Sequence, residues 1–321
     1  MADPDADWLQ RLDDFTARFR DDFRRRDQAR WASVYLQGLL RDGGRKTIGG
    51  LARRVTLPPA LAVEDAAQAL QNFVNQSPWD EAKVARRRRA LLAERFADPD
   101  GTFVVDELAF VKQGRCSVGV QRQYSGALGR KANCQIAVAL YHVGAAGVCP
   151  LDLRLYLPRG WLQNGPRLEA AGVPEEHRRT RGKGAIALEL LAAARAEGWA
   201  ARLTTGGAGF GADHAFREAL AASGFAYLLE APDDTPPTEG ETFQPADDGG
   251  RPAVGNAADG AAEARRARRA ARETTAVLTR DLGLDHFEGR SWRGFHHHAG
   301  LVLLAYGFRL LGGRRQPAAV G

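Results

Sequence analysis

The sequence predicts a mixed α/β protein preceded by an all-helical part, and three observations carry that prediction. Apolar residues recur at three- and four-residue spacing as far as residue 98. Short apolar runs of strand length replace them from residue 102. Helix-like and strand-like segments then alternate to residue 229.

In the helical part, Trp8, Leu9, Leu12, Phe15, Phe19 and Phe23 mark one buried helical face. Trp31–Leu40 repeats the pattern, with Tyr35 and Leu36 on its apolar side. Thr47–Val55 and Val63–Phe73, separated by Thr56-Leu57-Pro58-Pro59, read as two short helices around a turn. Such a pair suits a DNA-binding surface of helix-turn-helix type, although any small helical bundle has the same pattern. Ser77-Pro78 starts a further helix, with Ser77 as N-cap and Pro78 at the first helical position. That helix carries Arg86, Arg87, Arg88 and Arg89. A basic run is ordinarily a solvated face; on a DNA-binding protein it contacts phosphates.

Thr102–Asp106 is a short apolar strand that ends in an acid. Gln135–Val143 and Cys149–Leu157 form a hairpin about Gly144–Gly147. Gly184–Glu197 is helical, Ala200–Thr205 a strand, His214–Ala222 a helix and Phe225–Leu229 a strand. Three antiparallel strands followed by alternating helices and strands are the order of an RNase H-like α/β core. Residues 232–262 are rich in Pro, Gly, Asp and Ala, with Phe243 and Val254 as their large apolar residues. Such a stretch is expected to be disordered. A helix opens at Arg265–Arg269, and Ala299–Leu311 is an apolar core helix. The expected division is 1–100 helical, 101–231 core, 232–262 insertion remnant and 263–321 the closing helices of the core.

Composition narrows the function. With 321 residues, a prior of roughly 100–200 per domain gives about two domains. A 44% hydrophobic share and six Trp exclude a disordered polyelectrolyte. Of 45 basic residues only five are Lys (46, 83, 112, 131, 183), so the formal charge of +6 rests on Arg. Arg suits phosphates and base edges, though a GC-rich genome enriches Arg and Ala whatever the function. Cys116, Cys134 and Cys149 are too few and too far apart for a zinc knuckle or a disulfide framework. Neither a secretory signal core nor a run of about 18 apolar residues is present, which leads to the expectation of a soluble, cytoplasmic protein with no membrane partner.

Two blocks carry a family resemblance. The first is Val105–Gly114, continued by Ser117–Gly126 and Asn133-Cys134-Gln135; the second is Gly283–His297, continued by Leu301–Phe308. Leu155–Pro158, Trp161 and Ala171–Pro174 match between them. These segments resemble the DDE transposases of bacterial insertion sequences, in the group related to the Tyr-Arg-Glu-Lys signature. The resemblance implies three carboxylates holding two Mg²⁺ ions about 3.5–4 Å apart for phosphoryl transfer on DNA. A hard cation requires such oxygen ligands.

By that resemblance the first acid and metal ligand is Asp106. The second should follow the strand Ala200–Thr205, where Gly207 stands instead. A phosphate-loop reading of Gly206–Gly209 fails because the Lys-Ser/Thr ending is missing. Asp213 lies six residues beyond Gly207 and is a poor substitute. The third acid position falls on Arg272, with Arg268 at the signature Arg and Thr279 where Lys is expected. Glu273 is adjacent and is the candidate replacement, although one helical step turns it by about 100°. Glu288 is a supporting or DNA-contacting residue. The candidate DNA contacts are Arg86, Arg87, Arg88, Arg89, Lys112, Arg122, Arg290, Trp292 and His297. His296-His297-His298 point in divergent directions and so do not make a metal site. The shrunken insertion suggests that residues 232–280 partly derive from a frame disruption or an internal deletion.

Three functions follow as expectations. The chain is a transposase-family protein impaired by loss of two acids, or a non-cleaving DNA-binding derivative. Alternatively it is an active nuclease using Asp106, Glu273 and a displaced acid. Its expected partner is double-stranded DNA of insertion-sequence terminal repeats, bound as a possible homodimer, and its ancestral cofactor is Mg²⁺.

Overall fold

The computed structural model describes residues 4–232, 234–244, 252–257 and 259–312. Five helices come first: α1 (Pro4–Ala17), α2 (Arg26–Leu40), α3 (Ile48–Ala52), α4 (Ala66–Asn75) and α5 (Glu81–Phe96). Four strands follow: β1 (Thr102–Val111), β2 (Gln121–Ser125), β3 (Arg130–Gly144) and β4 (Gly147–Tyr156). Then come α6 (Arg159–Leu162), α7 (Gly165–Ala170), α8 (Lys183–Ala196), β5 (Leu203–Gly206), α9 (Ala208–Gly211) and α10 (His214–Ala222). The chain continues with β6 (Leu228–Glu230), β7 (Thr242–Gln244), β8 (Ala253–Gly255), α11 (Ala261–Arg280) and α12 (Trp292–Leu310). It divides into a helical unit, residues 1–91 with 276–321, and an α/β unit, residues 92–275.

The helical unit is built on the aromatic face read from the sequence. Trp8, Leu12, Phe15, Phe19 and Phe23 are buried. Phe308 of α12 meets Trp8 and Phe15, at centroid distances of 6.4 and 5.3 Å. α12, expected among the closing helices of the α/β core, therefore belongs to the helical unit, where it packs on α2 and α4. Its histidines make that packing specific. His298 lies 2.9 Å from Tyr35 Oη through Nδ1 and 2.9 Å from the Gly283 carbonyl through Nε2. His297 stacks on Trp79 at 3.8 Å and faces the carbonyls of Val74 and Trp79 at 3.0 and 3.1 Å.

The two short helices expected before residue 75 are α3 and α4, capped by the side chains of Thr47 and Asp65. The following helix begins later than Ser77-Pro78 suggests. Asp80 Oδ1 accepts from the backbone N–H groups of Ala82 and Lys83, and Ser77 Oγ accepts instead from Gln28.

In the α/β unit, one sheet runs β2-β3-β1-β5, with β4 also paired to β3. β1, β2, β3 and β4 pair antiparallel, while β5 lies parallel to β1. The expected β3–β4 hairpin forms, and Gly147 takes the positive φ of 133° that its turn requires. β6 joins β5 through a parallel bridge from Tyr227 to Thr204.

The stretch expected to be disordered, 232–262, is partly structured. β7 and β8 complete a small sheet of order β6-β8-β7, in which Val254 is fully buried. Residues 233, 245–251 and 258 lie outside the described residues. What anchors the rest is polar. Arg217 Nε and Glu241 Oε1 are 2.8 Å apart, each side chain 2% exposed. Glu241 also accepts from Tyr227 Oη at 2.6 Å and from the Thr238 N–H at 2.7 Å. Burial pushes this carboxyl up, but those hydrogen bonds and the Arg217 guanidinium hold it below its ordinary value. Counting apolar residues misses such an anchor.

Candidate active site

The site grows from the parallel pairing of β1 and β5. Their register sets Val105 beside Gly206, so Asp106 and Gly207 are the next positions at the same level. Beyond β5, β6 ends in Glu230. Arg268 and Arg272 are one turn apart on α11 and therefore share a face.

That face is turned to Glu230. Arg268 Nη2 lies 3.1 Å from Glu230 Oε1 and Arg272 Nη2 lies 3.6 Å from the same oxygen. Arg268 also donates from Nη1 to Thr205 Oγ1 at 2.6 Å, while the Thr205 hydroxyl donates to the Leu228 carbonyl at 2.7 Å. The Arg268 and Glu230 side chains are 6% and 11% exposed, whereas Arg272 is 59% exposed. This is a nearly buried ion pair with a second guanidinium at its solvent side.

Asp106 is partly buried, and its Oδ1 accepts from the Glu107 N–H at 2.9 Å. Burial raises its carboxyl to about 6; the backbone hydrogen bond and the Arg272 charge oppose this, while Glu107 and Glu230 add to it. Glu107 itself is committed elsewhere. Its two oxygens bind Ser125 Oγ at 2.6 Å and Lys183 Nζ at 2.5 Å.

Three glycines border the site and differ in one respect. A Cβ on Gly206 would lie 2.7 Å from Val105 Cγ2, and one on Gly211 would strike the Glu230 carbonyl oxygen at 1.7 Å. At those positions close approach demands glycine. Among the described residues, a Cβ on Gly207 would meet only Glu230 Oε2, at 3.9 Å, and its φ of −74° suits any residue. Packing does not require glycine at 207.

Glu273 is not brought to the site. It is 66% exposed and pairs with Arg269 at 3.0 Å on the α11 surface, as the 100° turn per residue dictates. The acid placed near Asp106 is Glu230, which sequence reasoning missed. Its signal in the sequence is that Glu230 ends the apolar run Phe225–Leu229 as Asp106 ends its own.

The donor set does not fit two divalent ions. Asp106 and Glu230 supply carboxylates, but Gly207 supplies nothing and Arg272 supplies a cation. Among the described residues, no group of three or more His, Cys, Asp or Glu is arranged to hold a metal.

The candidate DNA contacts separate by exposure. Arg86, Arg87, Arg122 and Arg290 are exposed, and Lys112 is half-buried. Arg87 pairs with Asp22 at 3.2 Å. Arg88 and Arg89 are buried, because a run of four on one helix turns half its members inward. Trp292 and His297 are buried too, the first against His296 at 4.2 Å and the second on Trp79. A phosphate cannot reach these four without unpacking the helices that hold them. Glu288 is exposed, 3.9 Å from Arg45. No helix among the described residues is long and apolar enough to cross a membrane.

Residues 18–297 match the family described as DDE superfamily endonuclease. The chain is also 33% identical over 130 residues to a probable transposase for insertion sequence element IS701 from Microchaete diplosiphon. That match covers 40% of this chain and 32% of the relative, so the likeness spans about a third of the relative's length. A structural likeness, with a TM-score of 0.46 and 11% identity, is to a piggyBac transposase synaptic complex with hairpin DNA. It covers 91% of this chain and 68% of that one.

Proposed function

The chain belongs to the DDE superfamily endonuclease family, and from that premise we propose that it is an insertion-sequence transposase by descent that binds DNA without cutting it. On this reading the α/β unit is an RNase H-like core whose ancestral chemistry was Mg²⁺-dependent strand cleavage and transfer. Two Mg²⁺ ions between three carboxylates would activate the attacking oxygen and stabilise the leaving one.

One observation carries the proposal. Gly207 stands level with Asp106 at the end of paired parallel strands, and Arg272 reaches toward the same place from α11. The resemblance assigns acids to both positions. One side chain is missing and the other has inverted its charge, so two of three ligands are lost.

The DNA partner proposed is the terminal-repeat duplex of the parent element, met by a dimer in the cytoplasm. Arg86, Arg122 and Arg290 are exposed, on surfaces that phosphates can approach. The test is a gel shift on a terminal-repeat duplex across a salt series, run in EDTA and in Mg²⁺. The expected result is salt-sensitive binding that is equal in both. Failure to bind the duplex at low salt would remove the DNA-binding claim.

A further inference from the structure

We infer that Arg268 and Arg272 act as built-in cations of the former metal site: they pair with Glu230, beside Asp106, in place of divalent ions, on a backbone that still has room for the lost ligand. The inference rests on the proposed descent and adds what now occupies the site.

Charge balance is the first support. Two partly or wholly buried carboxylates need compensating positive charge, supplied either by bound ions or by the chain. Here the chain supplies it. Glu230 Oε1 is shared by both guanidiniums, at 3.1 and 3.6 Å, and the Arg272 charge also acts on Asp106. A divalent ion entering between these carboxylates would meet Arg272 at short range and be repelled.

Space is the second support. Gly207 has an ordinary φ and a Cβ position free except for Glu230 Oε2 at 3.9 Å. It is also the N-cap of α9, where Asp is preferred over Gly. Nothing in the backbone opposes an acid there. The cluster is moreover short of acceptors, because Arg268 Nε is buried without a hydrogen-bond partner among the described residues. Arg272 is largely exposed, so replacing it leaves the core intact.

The experiment is Mn²⁺ titration of the full chain, with free Mn²⁺ read by electron paramagnetic resonance. Wild type is compared with Asp106→Asn, with Gly207→Asp/Arg272→Glu and with that double variant carrying Asp106→Asn. Wild type is expected to take up no Mn²⁺ at this site. The double variant should bind it, at least about tenfold more tightly than the same variant carrying Asp106→Asn, since carboxylate count sets affinity. If the double variant does not fold, Arg272→Gln alone must still bind more Mn²⁺ than wild type. Wild-type uptake that is lost in Asp106→Asn would overturn the inference, as would a folded variant that binds no more than wild type. Loss of DNA binding in the gel shift would sink the functional reading while leaving this one standing; a silent Mn²⁺ titration beside a normal gel shift would do the reverse.

Discussion

Arg268 and Glu230 lie 3.1 Å apart at the C-terminal end of β6, both nearly buried, with Thr205 Oγ1 2.6 Å from the other amino nitrogen of Arg268. A pair so enclosed is costly to break from one side, because the survivor keeps its charge without compensation. Glu230→Gln should therefore lower the unfolding free energy by about 3 kcal/mol. Arg272→Gln, whose side chain is 59% exposed, should cost less than about 1 kcal/mol. Urea denaturation of both variants measures the contrast; equal costs would show that burial does not govern this cluster.

Asp106 gives a pH dependence with a definite sign. Its carboxyl is raised from 3.8 to about 6, chiefly by burial, so folding opposes its ionisation. Below pH 3.8 both states hold the proton and nothing is lost. As pH rises from there to about 6 the unfolded chain ionises first, and stability falls by up to about 3 kcal/mol. Asp106→Asn removes this term. The variant should be more stable than wild type at pH 7.5, with the difference vanishing near pH 4. Melting temperatures across that range check it, and a variant less stable at neutral pH contradicts it.

His297 carries the opposite sign. Burial pushes its imidazole down to about 3, against the pull of the Trp79 and Val74 carbonyls. The unfolded chain therefore takes up this proton first, and the contribution of His297 to stability, complete above pH 6.5, is lost as pH falls toward 3. His297→Phe should flatten the acid limb of the stability curve. Its DNA affinity should match wild type once both are folded, since the ring is enclosed by Trp79 and the Val74 carbonyl. A gel shift weakened without any change in stability would restore His297 as a DNA contact.

The basic run of α5 splits in the same way. Arg86 is exposed and Arg88 is 2% exposed. Arg86→Ala should leave the melting temperature nearly unchanged and reduce the salt slope of DNA binding by about one. Arg88→Ala should lower the melting temperature and leave the slope alone. A lowered slope in Arg88→Ala would reverse the assignment.

These contrasts show what the sequence made legible. The helical face from Trp8 to Phe23 and the β3–β4 hairpin followed from periodicity and turn chemistry, and both appear. Three things did not. The destination of α12 was hidden because an apolar helix can pack on any apolar face, and its periodicity does not say which. The ordering of β7 and β8 was hidden because a buried Arg217–Glu241 pair does there what apolar area does elsewhere. Glu230 was hidden because its importance lies in what α11 brings to it across some forty residues of chain. Arg88, Arg89, Trp292 and His297 are of residue types that suggest DNA contact but are buried, because the side of the helix decides access.

The segment between α10 and α11 gives a further stability prediction. Glu241→Gln leaves Arg217 buried and unpaired, which should cost about 3–5 kcal/mol. Amide exchange at Val254, in the small sheet beside it, should accelerate with the loss. An unchanged exchange rate would mean that this sheet does not depend on the ion pair.

The central claim is that Gly207 and Arg272 have ended metal-dependent chemistry at a site that keeps Asp106. The most direct test is nicking of a supercoiled plasmid bearing the terminal repeats, in Mg²⁺ and in Mn²⁺, by wild type and by Asp106→Asn. No nicking above background is expected, and no difference between the two proteins. Nicking by wild type that disappears in Asp106→Asn would contradict it.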